Sequence, residues 1–223
     1  MQKINYENIN SFYSERYKEY GYSPKSLGWD KGKQNVRFDI LTSQYDFQGK
    51  SLLDIGCGFG DLSMYLDRKY TSYKYFGIDL LKDFIREARE RNSQYYKRFE
   101  NADILDFTPR QNYDFAVASG TFNLSLQDID NYEYLNLVFE KTFAICNDGF
   151  AFDFLSDKVD YQLNDSFHYA PEKVLELAYK YSRNIVLRND YMPFEFAIFL
   201  FKDDSFKKED TLFCKYKNER NNI

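Results

Sequence analysis

The chain is expected to fold as an α/β protein built on an open, mostly parallel sheet with helices on both faces. Three observations point there. Short apolar runs recur along the chain, helical patterns lie between most of them, and the first run passes through a glycine turn, "LLDIGCGFG", directly into a helix-like stretch.

Each element has a local reason. Residues 4–20 form a polar, aromatic-rich helix, which the breakers Gly21, Pro24 and Gly28 end. A second helix over 33–45 sets Val36, Ile40 and Leu41 at helical spacing. Strands are expected at 51–55, 73–78, 96–101, 113–118, 150–154, 184–188 and 195–201. Helices are expected at 60–69, 82–92, 131–146 and 172–182, the last opened by Pro171. Only "NDYMPF" separates the last two strands, too little for a helical crossover, so they pair as an antiparallel hairpin. The tail beyond Lys202 is charged and expected to be loosely held.

Composition narrows the function. With 223 residues and 43% hydrophobic content, one large domain can bury a sizeable core. Tyr and Phe number 21 and 22, so aromatic rings are available to line a pocket as well as to pack. A net charge of −5 with scattered Lys and Arg argues against nucleic acid as the default partner. The polar N-terminus and the lack of any run near 20 apolar residues favour a cytoplasmic protein without a membrane span. Cys57, Cys146 and Cys214 are far apart and only one histidine is present, which predicts reduced thiols and no metal site.

The glycine turn carries the chemistry. A strand, a glycine turn and a helix N-terminus let backbone approach a nucleotide-like ligand and offer it unpaired N–H groups. Here Gly56, Gly58 and Gly60 alternate with Cys57 and Phe59, Asp61 stands where a dinucleotide fingerprint has its last glycine, and Asp54 precedes the turn. Acidic groups disfavour a pyrophosphate and suit a cationic ligand. The bland alternative, a tight turn and a capped helix, would explain any one of these residues alone.

The stretch resembles motif I of the class I S-adenosylmethionine-dependent methyltransferases, and further matches follow in family order over about residues 27–201. "YFGIDL" ends its strand with Asp79, 19 residues past Gly60, where the family has the carboxylate that holds both ribose hydroxyls, with Leu80 beside it. "NADILDF" sets Asp103 and Ile104 at the adenine position, and "YDFAVASGTFN" resembles motif IV, with Ser119 and Gly120 near the transferred methyl. "SLGWDKGKQNVRFDIL" resembles a segment lying across cofactor and acceptor, in which Trp29 and Arg37 are cofactor candidates and Arg37 would hold the methionyl carboxylate; the alternative is that Trp29 and Phe38 pack the helix on the sheet while Arg37 is solvated. The resemblance implies a Rossmann-like, seven-stranded sheet with an antiparallel last strand. It also implies a helical lid or acceptor-side segment over 1–46, a cofactor core over 47–202 and a tail over 203–223.

Ligands bind beyond the carboxyl ends of the strands, so acceptor contacts are expected from the loops after strands four to six. His168 is the candidate general base, against a structural role for a lone histidine, and Arg188 and Tyr191 are candidate acceptor contacts, with pairing to Asp190 the alternative for Arg188. The expected function is methyl transfer to oxygen or nitrogen of a small-molecule acceptor, a metabolite or saccharide precursor. RNA or protein methylation, a nicotinamide-dependent oxidoreductase and a non-catalytic cofactor binder are the competing readings.

Overall fold

The computed structural model describes residues 4–28, 33–94, 97–162 and 166–203. Its elements follow the expected alternation: α1 (Glu7–Tyr20), a short 3-10 turn (Pro24–Leu27), α2 (Gln34–Leu41), β1 (Ser51–Ile55), α3 (Asp61–Leu66), β2 (Lys74–Asp79), α4 (Lys82–Arg91), β3 (Lys97–Asn101), β4 (Tyr113–Ala118), α5 (Asn131–Ile145), β5 (Cys146–Leu155), α6 (Pro171–Ala178), β6 (Ile185–Arg188) and β7 (Glu195–Phe201). The seven strands run β3-β2-β1-β4-β5-β7-β6. β1 to β5 pair in parallel, while β7 lies antiparallel to both β5 and β6, as the short hairpin connection requires.

The strand order reverses between β1 and β4. From β1 the chain builds outward through β2 and β3, then returns to place β4 on the other side. The crevice at the carboxyl ends of β1 and β4 is therefore left uncovered by either crossover, and it is where a ligand fits.

Side chains alternate across the sheet with period two, and the core divides accordingly. Leu53, Ile55, Phe150, Phe152 and Phe154 pack with Phe139 of α5 and Val174 of α6. Leu52, Val117 and Ala151 face the other way, against Phe38, Leu62 and Ile85 of α2, α3 and α4. Cys57 and Cys146 are free thiols, as expected, and both are buried; Cys214 lies outside the described residues.

Several boundaries differ from expectation. α3 and α6 end early, at Leu66 and Ala178. The helix before β1 ends at Leu41, and its buried face is Arg37, Phe38 and Leu41, while Val36 is 38% exposed. Apolar spacing over so short a helix does not fix which side faces inward, and Phe38 outweighs Val36 in area. The chain after it is anchored by Tyr45, which stacks on Phe115 at 4.3 Å and donates a 2.7 Å hydrogen bond to the Phe150 carbonyl. β5 begins at Cys146, with no loop after α5; the polar start "CND" hides this extension from a hydrophobicity pattern.

Candidate active site

The glycine turn connects β1 to α3 at the crevice. Gly56, Gly58 and Gly60 all have positive φ, a region that L-residues with side chains enter only with strain. At Gly60 a Cβ would also meet the Phe99 ring at 2.7 Å, so the turn is closed to larger residues on two grounds. Asp79, at the end of β2, fixes the turn from the side. Its Oδ2 accepts from the Gly58 N–H at 2.9 Å and its Oδ1 from the Leu81 N–H at 2.8 Å. Each carboxylate oxygen retains a lone pair for a ligand donor.

The crevice is acidic. Asp54, Asp79 and Asp103 line it, and no Lys, Arg or His does so among the described residues. Burial pushes Asp79 up to about 6 and Asp54 up to about 7, although the Tyr75 hydroxyl donates to Asp54. Asp103 is likewise raised by burial, and it caps the turn before Leu105. A phosphate would be repelled here, whereas a cation would offset the desolvation of these carboxyls. Apolar walls come from Ile78, Leu80, Leu81 and Ile104, and Cys57, Ser119 and Gly120 complete the edge. The α1 segment and the 3-10 turn reach over the crevice with Ile9, Tyr13 and Leu27. They rest on a small cluster of Phe59, Leu81 and Phe84.

A chamber of about 750 Å³ adjoins this crevice, with Tyr13, Leu27, Gly120 and Leu124 lining both. His168 borders the chamber. Its Nδ1 lies 2.7 Å from the Ser156 carbonyl, an acceptor only, so Nδ1 carries the proton and Nε2 the lone pair; Nε2 is buried without a hydrogen-bond partner among the described residues.

Three other candidates stand apart from the crevice. Arg37 is buried and does not line it. Its guanidinium pairs with Glu195 through Nε at 2.6 Å and through Nη2, with Asp153 at 3.8 Å, and this corrects the assignment of Arg37 to a cofactor carboxylate. It borders the chamber instead. Arg188 pairs with Asp190 at 2.7 and 2.9 Å and lines neither space, so the pairing alternative holds. Tyr191 lines neither space either, and its hydroxyl is buried without a hydrogen-bond partner. Trp29 lies outside the described residues.

The comparisons agree with this geometry. A methyltransferase-domain family model matches residues 52–140. The chain is 31% identical over 158 residues to Rv1506c of Mycobacterium tuberculosis, named as a methyltransferase, covering 68% of this chain and 93% of that protein. The chain belongs to the class I S-adenosylmethionine-dependent methyltransferases. Another relative is a fatty-acid O-methyltransferase of Mycolicibacterium smegmatis, 31% identical over 104 residues, 43% of this chain and 38% of that enzyme. A magnesium protoporphyrin IX methyltransferase of Synechocystis with bound S-adenosylhomocysteine shares the fold, with a TM-score of 0.65 and 12% identity over 87% of this chain and 96% of that one.

S-adenosylmethionine is the methyltransferase's cofactor, and the residues fit it. The crevice presents acidic groups toward a sulfonium, a carboxylate with spare lone pairs toward a diol, and apolar walls toward a purine. Among the described residues no three His, Cys, Asp or Glu side chains group as a metal site, and no helix is long and apolar enough to cross a membrane.

Sequence reasoning missed Tyr13, Phe84, Asn131 and Tyr134 at the crevice, which distant segments bring in and no motif marks. It also missed Asp153 and Glu195. Asp153 did leave a signal, as the one charge inside "FAFDFL".

Proposed function

We propose that the enzyme transfers a methyl group to an oxygen or nitrogen atom of a small-molecule acceptor seated in the chamber. The observation that carries this reading is the chamber of about 750 Å³ that meets the crevice at Gly120, large enough for a metabolite and lined on one side by Phe12, Tyr13 and Leu27 of the N-terminal segment. An acidic crevice and a net charge of −5 weigh against an RNA strand as the acceptor. The O-methyltransferase relative, whose name gives a fatty acid as its substrate, is in keeping with a small acceptor.

In this reading Asp79 accepts both ribose hydroxyls while the glycine turn lets backbone pass the methionyl part. Asp103 and Ile104 border the adenine, and Ser119 and Gly120 face the methyl end. When bound, the cofactor supplies an already activated methyl on sulfur, so the protein's task is to align the nucleophile and exclude water. The segment over residues 1–46 serves as the lid, with Tyr13 and Leu27 spanning both spaces. His168 takes the proton of a protic nucleophile on Nε2, since Nδ1–H is held by Ser156. The enzyme works in the cytoplasm.

The test uses methyl-labelled S-adenosylmethionine with panels of hydroxylated, carboxylated and amine metabolites, beside total tRNA and unfolded protein. Label is expected in the small-molecule panel. Label confined to RNA or protein would overturn the acceptor assignment.

A further inference from the structure

Asp153 sits near the carboxyl end of β5, where its neighbours Ala151, Phe152 and Phe154 are 1% exposed or less and Asp153 itself is 1% exposed. A carboxylate in such a strand is costly to bury, and an apolar residue would serve packing better. Its bonds show what it holds. Oδ1 accepts from the Gly120 N–H at 2.5 Å, and Oδ2 from the Ser119 hydroxyl at 3.3 Å. Gly120 has φ +67, so the turn after β4 bends sharply where crevice and chamber meet, and Asp153 ties both of its residues from the adjacent strand.

Asp153 is itself held. Arg37 of α2 lies 3.8 Å from its Oδ2 while gripping Glu195 at the start of β7. One guanidinium is thus shared by two buried carboxyls from neighbouring strands, joining the N-terminal segment, the hairpin and the β4 turn through side chains far apart in sequence. Removing Arg37 would leave two buried carboxyls without their shared counter-charge.

We propose that Asp153 is a positioning residue for cofactor binding, which sets the Ser119–Gly120 turn against the crevice and is oriented by the Arg37–Glu195 pair. This rests on the reading that Ser119 and Gly120 face the cofactor. Purified full-length protein is titrated calorimetrically with S-adenosylhomocysteine, with Tm measured alongside. Asp153→Ala is expected to weaken binding about tenfold, the loss of one charge-assisted hydrogen bond's worth of positioning. Asp153→Asn, whose amide oxygen still accepts from Gly120, is expected to recover most of that, staying within about threefold of the parent.

Equal affinities for parent and both variants, with only Tm lowered, would overturn the proposal, because a merely structural carboxylate moves Tm alone. Equal weakening by Ala and Asn would also overturn it. If the alanine variant does not fold, Asp153→Ser takes its place, expected at about the same tenfold loss and overturning the proposal if its affinity matches the parent's. Asp79→Asn is run beside them. If it too leaves affinity unchanged, the cofactor-site reading has failed; if it weakens binding while the Asp153 variants do not, only the present proposal has.

Discussion

Replacing Asp79 by Asn separates stability from cofactor binding. In the free protein two opposing effects meet. Asn presents one acceptor and one donor, so in either orientation its NH2 faces the N–H of Gly58 or Leu81, which lie 2.9 and 2.8 Å from the present oxygens. Such a mismatch costs about 1–3 kcal/mol. Removing the charge works the other way: burial has raised Asp79 from 3.8 to about 6. At about 1.4 kcal/mol per unit that relieves at most about 3 kcal/mol near pH 7.5, less for a group still partly open to solvent.

The two nearly cancel, and Tm is expected to move by less than about 5 °C. Binding has no such compensation. A diol that donates two charge-assisted bonds to a carboxylate keeps one ordinary acceptor on Asn, a loss of about 2–3 kcal/mol or roughly 30- to 150-fold in Kd. Calorimetry with S-adenosylhomocysteine at pH 7.5 measures it. The parent should also lose affinity below about pH 6 as Asp79 takes up a proton, while the variant stays flat. A variant affinity within threefold of the parent, or identical pH profiles, would refute the ribose assignment.

Three further outcomes are expected. Asp54 is buried with its pKa raised to about 7, so the folded state favours its protonated form; that stability is present below pH 3.8 and lost as pH rises through 7. Asp54→Asn, which still accepts from Tyr75, should therefore gain on the order of 2–4 kcal/mol over the parent above pH 7 and match it near pH 4; urea melts at the two pH values check this, and equal gains at both would count against it. Gly60→Ala combines a left-handed backbone with a contact at 2.7 Å to Phe99 and should lower stability by about 2–4 kcal/mol, read as a Tm drop of about 5–10 °C. An unchanged Tm would mean that the turn relaxes freely. His168→Ala should lower kcat on a protic acceptor about 100-fold. Full kcat from pH 6 to 9 would exclude the base.

The motifs reached the crevice because their residues are local. A strand, a glycine turn and a helix start are consecutive in sequence, and an acid at the next strand end is fixed relative to them by parallel pairing of β1 and β2. Period-two and helical spacings likewise predict the alternation, and the short connection "NDYMPF" predicts the antiparallel hairpin. The acceptor side was less legible. Arg37 was read from its helix position as a ligand-facing cation, yet Glu195 is 158 residues away and claims it.

What the sequence determined by itself was the order of elements, the antiparallel closing hairpin and the acidic character of the cofactor site, since each depends on neighbouring residues or on the length of one connection. What only the tertiary structure decided was which charges are already spent. Arg37 is shared between Asp153 and Glu195, and Arg188 is bound by Asp190, while among the described residues His168 keeps its Nε2 unpaired. A charge's availability depends on the partner that folding brings beside it, and burial raises the cost of leaving that partner absent, so no spacing along the chain reveals it.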